Sequence, residues 1–403
     1  MHSSRPNLGA ILKPLQKYSI MQIQNIVLLD DLFRQDFIEA RRFIYGLITE
    51  PLKQIGFSFP RLEAFPVERG LDQDFSLERF YSHCKQTSWL KNYHAIPKEA
   101  RDYLIEKIPK ESIIIGYEMP PWLLNALDSS NCPRVDIRIS PERFAKDLYL
   151  SISTTLGSSN TTTYHTTENA IRLEAGIMKA SILHHADTPA ISQQLQDSVI
   201  VIGQTSTDAS RVDASGALVQ FSDYQQEIKQ FVDSRTIFYK AHPYDSEAAR
   251  TDIATLEKIT GQKVKKCSTN AYYLLCNLSN TKILTLSSGV EQESAFFDRE
   301  AKALFTPWFY RKDLQPNQAR ITPSDFLAPA FWASLLNIPG SFEKSCSTPR
   351  NQLRELHNTW WGFADYQIKT NSFWEIAFSR FNKRKKRNPF NKIKEKLQNR
   401  ASL

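Results

Sequence analysis

Short runs of β-branched and other apolar residues recur along the chain, and each is closed by a turn and followed by a longer stretch with apolar positions three and four apart. This alternation predicts parallel strands covered by helices. In the first half, residues 25–29, 112–116, 134–139 and 171–173 read as strands, with amphipathic helical stretches such as 32–48 and 98–108 between them. The second half is more regular: 198–203, 236–240, 264–267, 282–286 and 302–305 are evenly spaced strand candidates, the order of one doubly wound nucleotide-binding domain.

The expected fold class is therefore α/β with two Rossmann-like lobes. Polar, His- and Gln-containing sequence over 186–197 separates the two series, which places an N-terminal α/β lobe at 1–190 and a C-terminal Rossmann-like lobe at 191–322. After Thr322 the pattern turns helical and aromatic, with Phe331, Trp332, Trp360, Trp361, Phe363 and Trp374. A helical segment over 323–380 is expected to pack back on the lobes, followed by a basic tail or linker at 381–403. The Ser/Thr run at 151–167 reads as a polar connection in preference to a mobile loop over a site.

A chain of 403 residues with 41% hydrophobic content can bury a large core, and its length suits two lobes better than one. The net charge of +8 points to nucleic acid only until it is located. Residues 381–403 hold nine basic side chains against the single acid Glu395, so the remaining body is neutral. A nucleic-acid groove needs basic residues spread over a folded face, and that class of partner is excluded. Interleaved with the basic residues are Phe378, Phe381, Phe390, Ile393 and Leu397. Two readings of this tail stand side by side: peripheral contact with an anionic membrane face, or a linker to further transferase modules. The five cysteines are widely spaced and include no CxxC pair, which argues against a disulfide framework and a zinc site. Residues 1–19 carry scattered Lys, Arg and Pro without a continuous apolar run, and no apolar run is long enough to cross a bilayer, so a cytoplasmic location is expected.

Four segments at strand ends carry candidate chemistry, because open α/β sheets bind ligands there. In the first, Gly203 and Gln204 lead to Asp208; the glycine suits close backbone approach to a ligand, and Asp208 either projects into a cleft or caps the following turn. In the second, Lys240 and His242 stand beside Pro243 and offer a cation and a hydrogen-bonding imidazole to a phosphate. In the third, Ser287, Ser288 and Gly289 lead into a helix, where hydroxyls and backbone N–H groups suit one phosphate; Ser288 with Glu291 also reads as a capping box. The chain contains neither GxGxxG nor GxxxxGK[ST]. In the fourth, Glu174 precedes Gly176, and Glu118 precedes Pro120; either is a candidate acid/base. Asp30 and Asp31 read as caps of a helix starting at Leu32, with no metal assigned.

The order IVIGQTSTDAS, FYKAHPYD and LTLSSGVEQE resembles the retaining β-Kdo transferases of bacterial polysaccharide assembly, which include KpsC-type capsule-linker enzymes and the WbbB-type O-antigen terminating module. The resemblance spans roughly residues 171–309. It implies a variant of the GT-B glycosyltransferase architecture, CMP-β-Kdo as donor substrate with no metal or other cofactor, a polysaccharide acceptor, and work at the inner face of the cytoplasmic membrane. It implies Asp208 as nucleophile, with His242, Ser287 and Ser288, joined by Gln204, Lys240 and Gly289, holding the cytidine monophosphate. Glu174 falls where the capsule enzymes have an acidic-Asp-Gly-aromatic motif, but the sequence here is EAGI, so Glu118 stays open as the acid/base. Another CMP-sugar transferase, such as a sialyltransferase, is the nearest alternative. A non-catalytic saccharide-binding module docked to a membrane is the alternative of another class.

Overall fold

Runs of β-branched residues that are apolar on both faces supply the central strands. The computed structural model describes residues 23–29, 31–34, 38–57, 68–69, 71–157, 162–185, 193, 195–242, 245–278, 280–310, 318–344 and 352–360. The strands are β1 (Asn25–Leu29), β2 (Glu68–Arg69), β3 (Ser112–Tyr117), β4 (Arg134–Ile139), β5 (Leu150–Thr154), β6 (Ser198–Ile202), β7 (Thr236–Lys240), β8 (Lys265–Lys266), β9 (Lys282–Thr285), β10 (Ala301–Ala303) and β11 (Ala319–Ile321). They form two sheets, one in each of two Rossmann-like lobes.

The first sheet has the order β11-β5-β4-β3-β1-β2. Its centre, β1, β3 and β4, is parallel, whereas β2 and β5 run antiparallel to their neighbours. The second sheet, β10-β9-β6-β7-β8, is parallel throughout. The chain runs outward from β6 to β8, then returns to the other side of β6 for β9 and β10. That reversal makes a switch point at the carboxyl ends of β6 and β9, where a parallel sheet opens a ligand crevice.

The expected strand at 171–173 is a turn of an 18-residue helix, Glu168–His185. Ile171, Ala175 and Ile182 are its buried positions, at helical spacing, and they pack with Leu195, Ile200 and Ile202 of the second lobe. The three residues Ile171, Arg172 and Leu173 are too few to distinguish the two periods. The same cluster holds Phe144, Ala145 and Tyr149 from the segment between β4 and β5, so the helix packs against both lobes. Part of the Ser/Thr run is the buried strand β5 and not a connection: the Thr154 hydroxyl donates to the Arg134 carbonyl at 3.0 Å, satisfying a polar side chain inside the sheet. The first long helix is Ile38–Gln54, later than expected, and Leu32 and Phe33 are buried in the turn before it.

β11 returns to the first sheet beside β5. The helices Pro323–Phe326 and Pro329–Leu335 then bury Phe326, Phe331 and Trp332 in the first-lobe core. The helix Gln352–Trp360 adds Leu353, and His357 meets the Phe43 ring edge-on at 5.5 Å. Trp361, Phe363, Trp374, Cys346 and the basic tail lie outside the described residues. Among the described residues Cys84, Cys132, Cys267 and Cys276 are free thiols, and no helix is long and apolar enough to cross a membrane.

Candidate active site

A cleft of about 1070 Å³ opens between the carboxyl ends of the two sheets. The loops after β6, β7 and β9 form one wall, and those after β1, β3 and β4 form the other. Asp208, Gln204, Lys240, His242, Ser287, Ser288, Gly289 and Glu118 all line it; Glu174 does not.

Gln204 is the tie that brings the β6 and β9 loops together. Its side chain is buried, with Nε2 donating to Ser210 Oγ at 3.0 Å and Ser287 Oγ at 3.1 Å, and Oε1 accepting from the Ser287 amide at 2.8 Å. The Ser287 hydroxyl is thus spent inside the protein, which leaves Ser288 and Gly289 at the cleft surface. Asp208 does cap a turn: Oδ1 accepts from the Ser210 amide at 2.8 Å at the start of the short helix Ala209–Arg211. Oδ2 is the more loosely held oxygen, 3.4 Å from Gln204 Nε2. Capping and facing the cleft are therefore the same placement. Gly203 proves necessary for packing, since a Cβ there would stand 2.3 Å from the Tyr239 hydroxyl, which itself donates to Asp252 at 2.6 Å.

Lys240 ends β7 and His242 follows it, both half-buried. Burial lowers the pKa of both; for His242 the Asp208 and Asp245 carboxylates oppose the shift and Lys240 adds to it. His242 is consequently neutral near pH 7 and serves as a hydrogen-bonding group, with Lys240 beside it as the cation. Pro243 lies outside the described residues. Ser288 Oγ accepts the Val290 amide at 3.4 Å and Ser288 O accepts the Glu291 amide at 3.2 Å, a turn cap in place of the expected capping box. Gly289 lies close to the opposite lobe: a Cβ on it would be 3.1 Å from Pro141 Cβ.

Across the cleft, Glu118 follows β3 with φ +54°, a left-handed conformation that costs a non-glycine residue about 1–3 kcal/mol. Its own amide donates to Ile137 O at 2.9 Å. The next residue is held from both sides, with the Met119 amide donating to Asp136 Oδ1 and Arg138 Nη2 donating to Met119 O, each at 2.8 Å. Asp136 and Arg138 pair at 3.0 Å, both buried. Burial works against the Arg138 charge, and the Asp136 and Glu118 carboxylates outweigh it, raising its pKa. Asp31 also lines this wall; Oδ1 accepts from the Phe33 amide at 3.0 Å and Trp122 Nε1 at 3.2 Å, so it belongs to a turn and does not cap a helix at Leu32. Asp30 lies outside the described residues.

Glu174 sits on the Glu168–His185 helix, where its carboxylate accepts from the Lys146 amide at 2.6 Å and the Tyr149 hydroxyl at 3.2 Å. It anchors the segment between β4 and β5 to that helix. The acid/base candidacy of Glu174 rested on a strand end that is helix, whereas Glu118 lines the cleft with Asp208, as Asp31, Glu142 and Glu168 also do.

Sequence reasoning missed Asp31, Arg34, Tyr93, Arg138, Arg143 and Tyr310, all of which line the cleft. One signal was available: in the strand RVDIRI, Asp136 and Arg138 are two apart and so share a face at a strand's carboxyl end. The others come from loops that the pattern leaves unplaced.

No protein-family model matches the chain, and no curated protein sequence is similar to it. Among solved structures the chain is similar to the β-Kdo 2,7 transferase KpsC of Thermosulfurimonas dismutans, at 13% identity and a TM-score of 0.33, covering 65% of this chain and 88% of that one. It is similar also to the UDP-GlcNAc 2-epimerase of Methanocaldococcus jannaschii in complex with UDP-GlcNAc and UDP, at 13% identity and a TM-score of 0.25, covering 66% and 79%. At this distance the likeness assigns no residue of the cleft.

Proposed function

We propose that the chain is a retaining glycosyltransferase that moves Kdo from CMP-β-Kdo to a hydroxyl of a bacterial surface polysaccharide. The observation that carries this reading is the convergence of the β6, β7 and β9 loops on one cleft, with Asp208, Lys240, His242 and Ser288 on one wall and Glu118 on the other. Each group has a role that its chemistry suits. Lys240, neutral His242 and the Ser288–Gly289 turn compensate charge on the departing phosphate in a fixed, partly desolvated site. Asp208 Oδ2 attacks the anomeric carbon as the bond to the CMP oxygen breaks, with the electron pair leaving on phosphate. The result is a covalent glycosyl-enzyme with inverted configuration. Glu118 then takes the proton of the acceptor hydroxyl, whose oxygen displaces Asp208 and restores the original configuration.

The test is transfer from a panel of CMP-sugars by the unaltered chain and by Asp208→Asn. Kdo transfer lost by at least about a thousandfold in the variant, with CMP affinity kept, is the expected result. Preference for a CMP-sialic acid donor would reassign the sugar, and failure to bind CMP at all would leave a saccharide-binding module instead.

A further inference from the structure

We propose that Arg138 is a positioning residue that fixes Glu118 in its cleft-facing turn, and that it does so under cover of Trp308 and Phe309 from the crossover that returns from the second sheet. The inference rests on Glu118 acting on the acceptor hydroxyl. Glu118 occupies a left-handed conformation that its own side chain disfavours, so an outside restraint must hold it. The restraint is β4. Ile137 O takes the Glu118 amide, Asp136 takes the Met119 amide, and the Arg138 guanidinium donates to Met119 O while pairing with Asp136. Met119 is fully buried, and a Cβ on Gly116 would lie 2.6 Å from its terminal carbon, so this peptide has no slack.

The guanidinium is itself covered. Its central carbon stands 4.9 Å from the Trp308 ring centre and 4.6 Å from that of Phe309. Trp308 is tied to the first lobe through Nε1, which donates to the Tyr93 hydroxyl at 3.0 Å. Arginine makes all of these contacts at once: its delocalised cation lies within cation–π reach of both rings, which meet each other edge-on at 87°, and its fork serves Asp136 and Met119. Trp308 lies only a few residues beyond β10, on the segment that leads back to β11. A shift of the second lobe is therefore felt first at the cover of the group that holds Glu118.

Two variants test this. Arg138→Lys keeps the charge but lacks the fork; Trp308→Leu leaves the Asp136–Arg138 pair whole and removes the indole cover together with its hydrogen bond to the Tyr93 hydroxyl. For Arg138→Lys we expect kcat of transfer to fall about a hundredfold with kcat/KM for the donor unchanged, because Glu118 acts only after the glycosyl-enzyme has formed. For Trp308→Leu the expected fall is about tenfold, again in kcat. Crystal structures of both should show Glu118 out of the left-handed region or its carboxylate turned from the cleft. Glu118 unmoved in both structures, or kcat equal to that of the unaltered enzyme, overturns the proposal. Absence of any transfer by the unaltered enzyme overturns the functional reading instead, and the two crystal structures still decide the restraint.

Discussion

Gln204 shows how one side chain can serve two loops. It gives and receives hydrogen bonds across β6 and β9, and its replacement by leucine removes the buried acceptor of the Ser287 amide and leaves the Ser210 and Ser287 hydroxyls only each other, at 2.9 Å. Unsatisfied buried groups cost about 1–3 kcal/mol each, so Gln204→Leu should lower chemical-denaturation stability by at least that amount and weaken CMP binding, as calorimetry would measure. Glu118 has a different signature. Loss of a positioned general base costs about a hundredfold or more, so Glu118→Gln should depress kcat while leaving CMP affinity as it was. The same substitution at Glu174 should leave the kcat of transfer near that of the unaltered enzyme, because that carboxylate ties Lys146 and Tyr149 outside the cleft.

Among the elements, the helix Val290–Phe296 joins the two lobes through Glu293. This buried carboxylate accepts from the Tyr272 hydroxyl at 2.9 Å and from the Phe144 amide at 3.1 Å, and burial pushes its pKa up to about 7. The folded state thus holds a proton that the unfolded chain, with an ordinary glutamate, releases near pH 4.5. The contribution of Glu293 to stability is fully present below that value and is lost as pH rises through 7, about 3 kcal/mol in all at 1.36 kcal/mol per unit. Glu293→Gln should flatten this dependence, and melting temperatures between pH 5 and about 8 would read it. The elements were unevenly legible. β6, β7 and β9 are short, buried, β-branched strands with turns at their ends, and the three loops that matter to the second-lobe wall could be located from that pattern alone. The helix around Glu174 was misread because Arg172, Leu173, Ile177 and other exposed positions interrupt its apolar stripe. β5 was hidden by its Ser and Thr content, since hydroxyls satisfied within a sheet look like a loop in one dimension. The first-lobe wall was largely illegible for the same kind of reason: Asp31, Tyr93 and Arg138 come from separate stretches that only the sheet order brings together.

At the scale of the whole molecule, the described residues pass between the two sheets twice, between β5 and β6 and again between β10 and β11, and the cleft lies between the carboxyl ends of the sheets so joined. The body outside 381–403 is charge-neutral, and the net charge of +8 resides in that segment. Each basic residue near an anionic bilayer contributes about 1 kcal/mol, so the chain should float with anionic liposomes and lose that behaviour when cut after Arg380; equal flotation of both would make the segment a linker. In the proposed reaction Asp208 meets the anomeric carbon of the donor within the cleft. Peptide mapping by mass spectrometry, after the Glu118→Gln enzyme has been mixed with CMP-β-Kdo, addresses it directly. The expected result is one Kdo joined through an ester to the peptide containing Asp208; an adduct on any other carboxylate, with Asp208 unmodified, would contradict it.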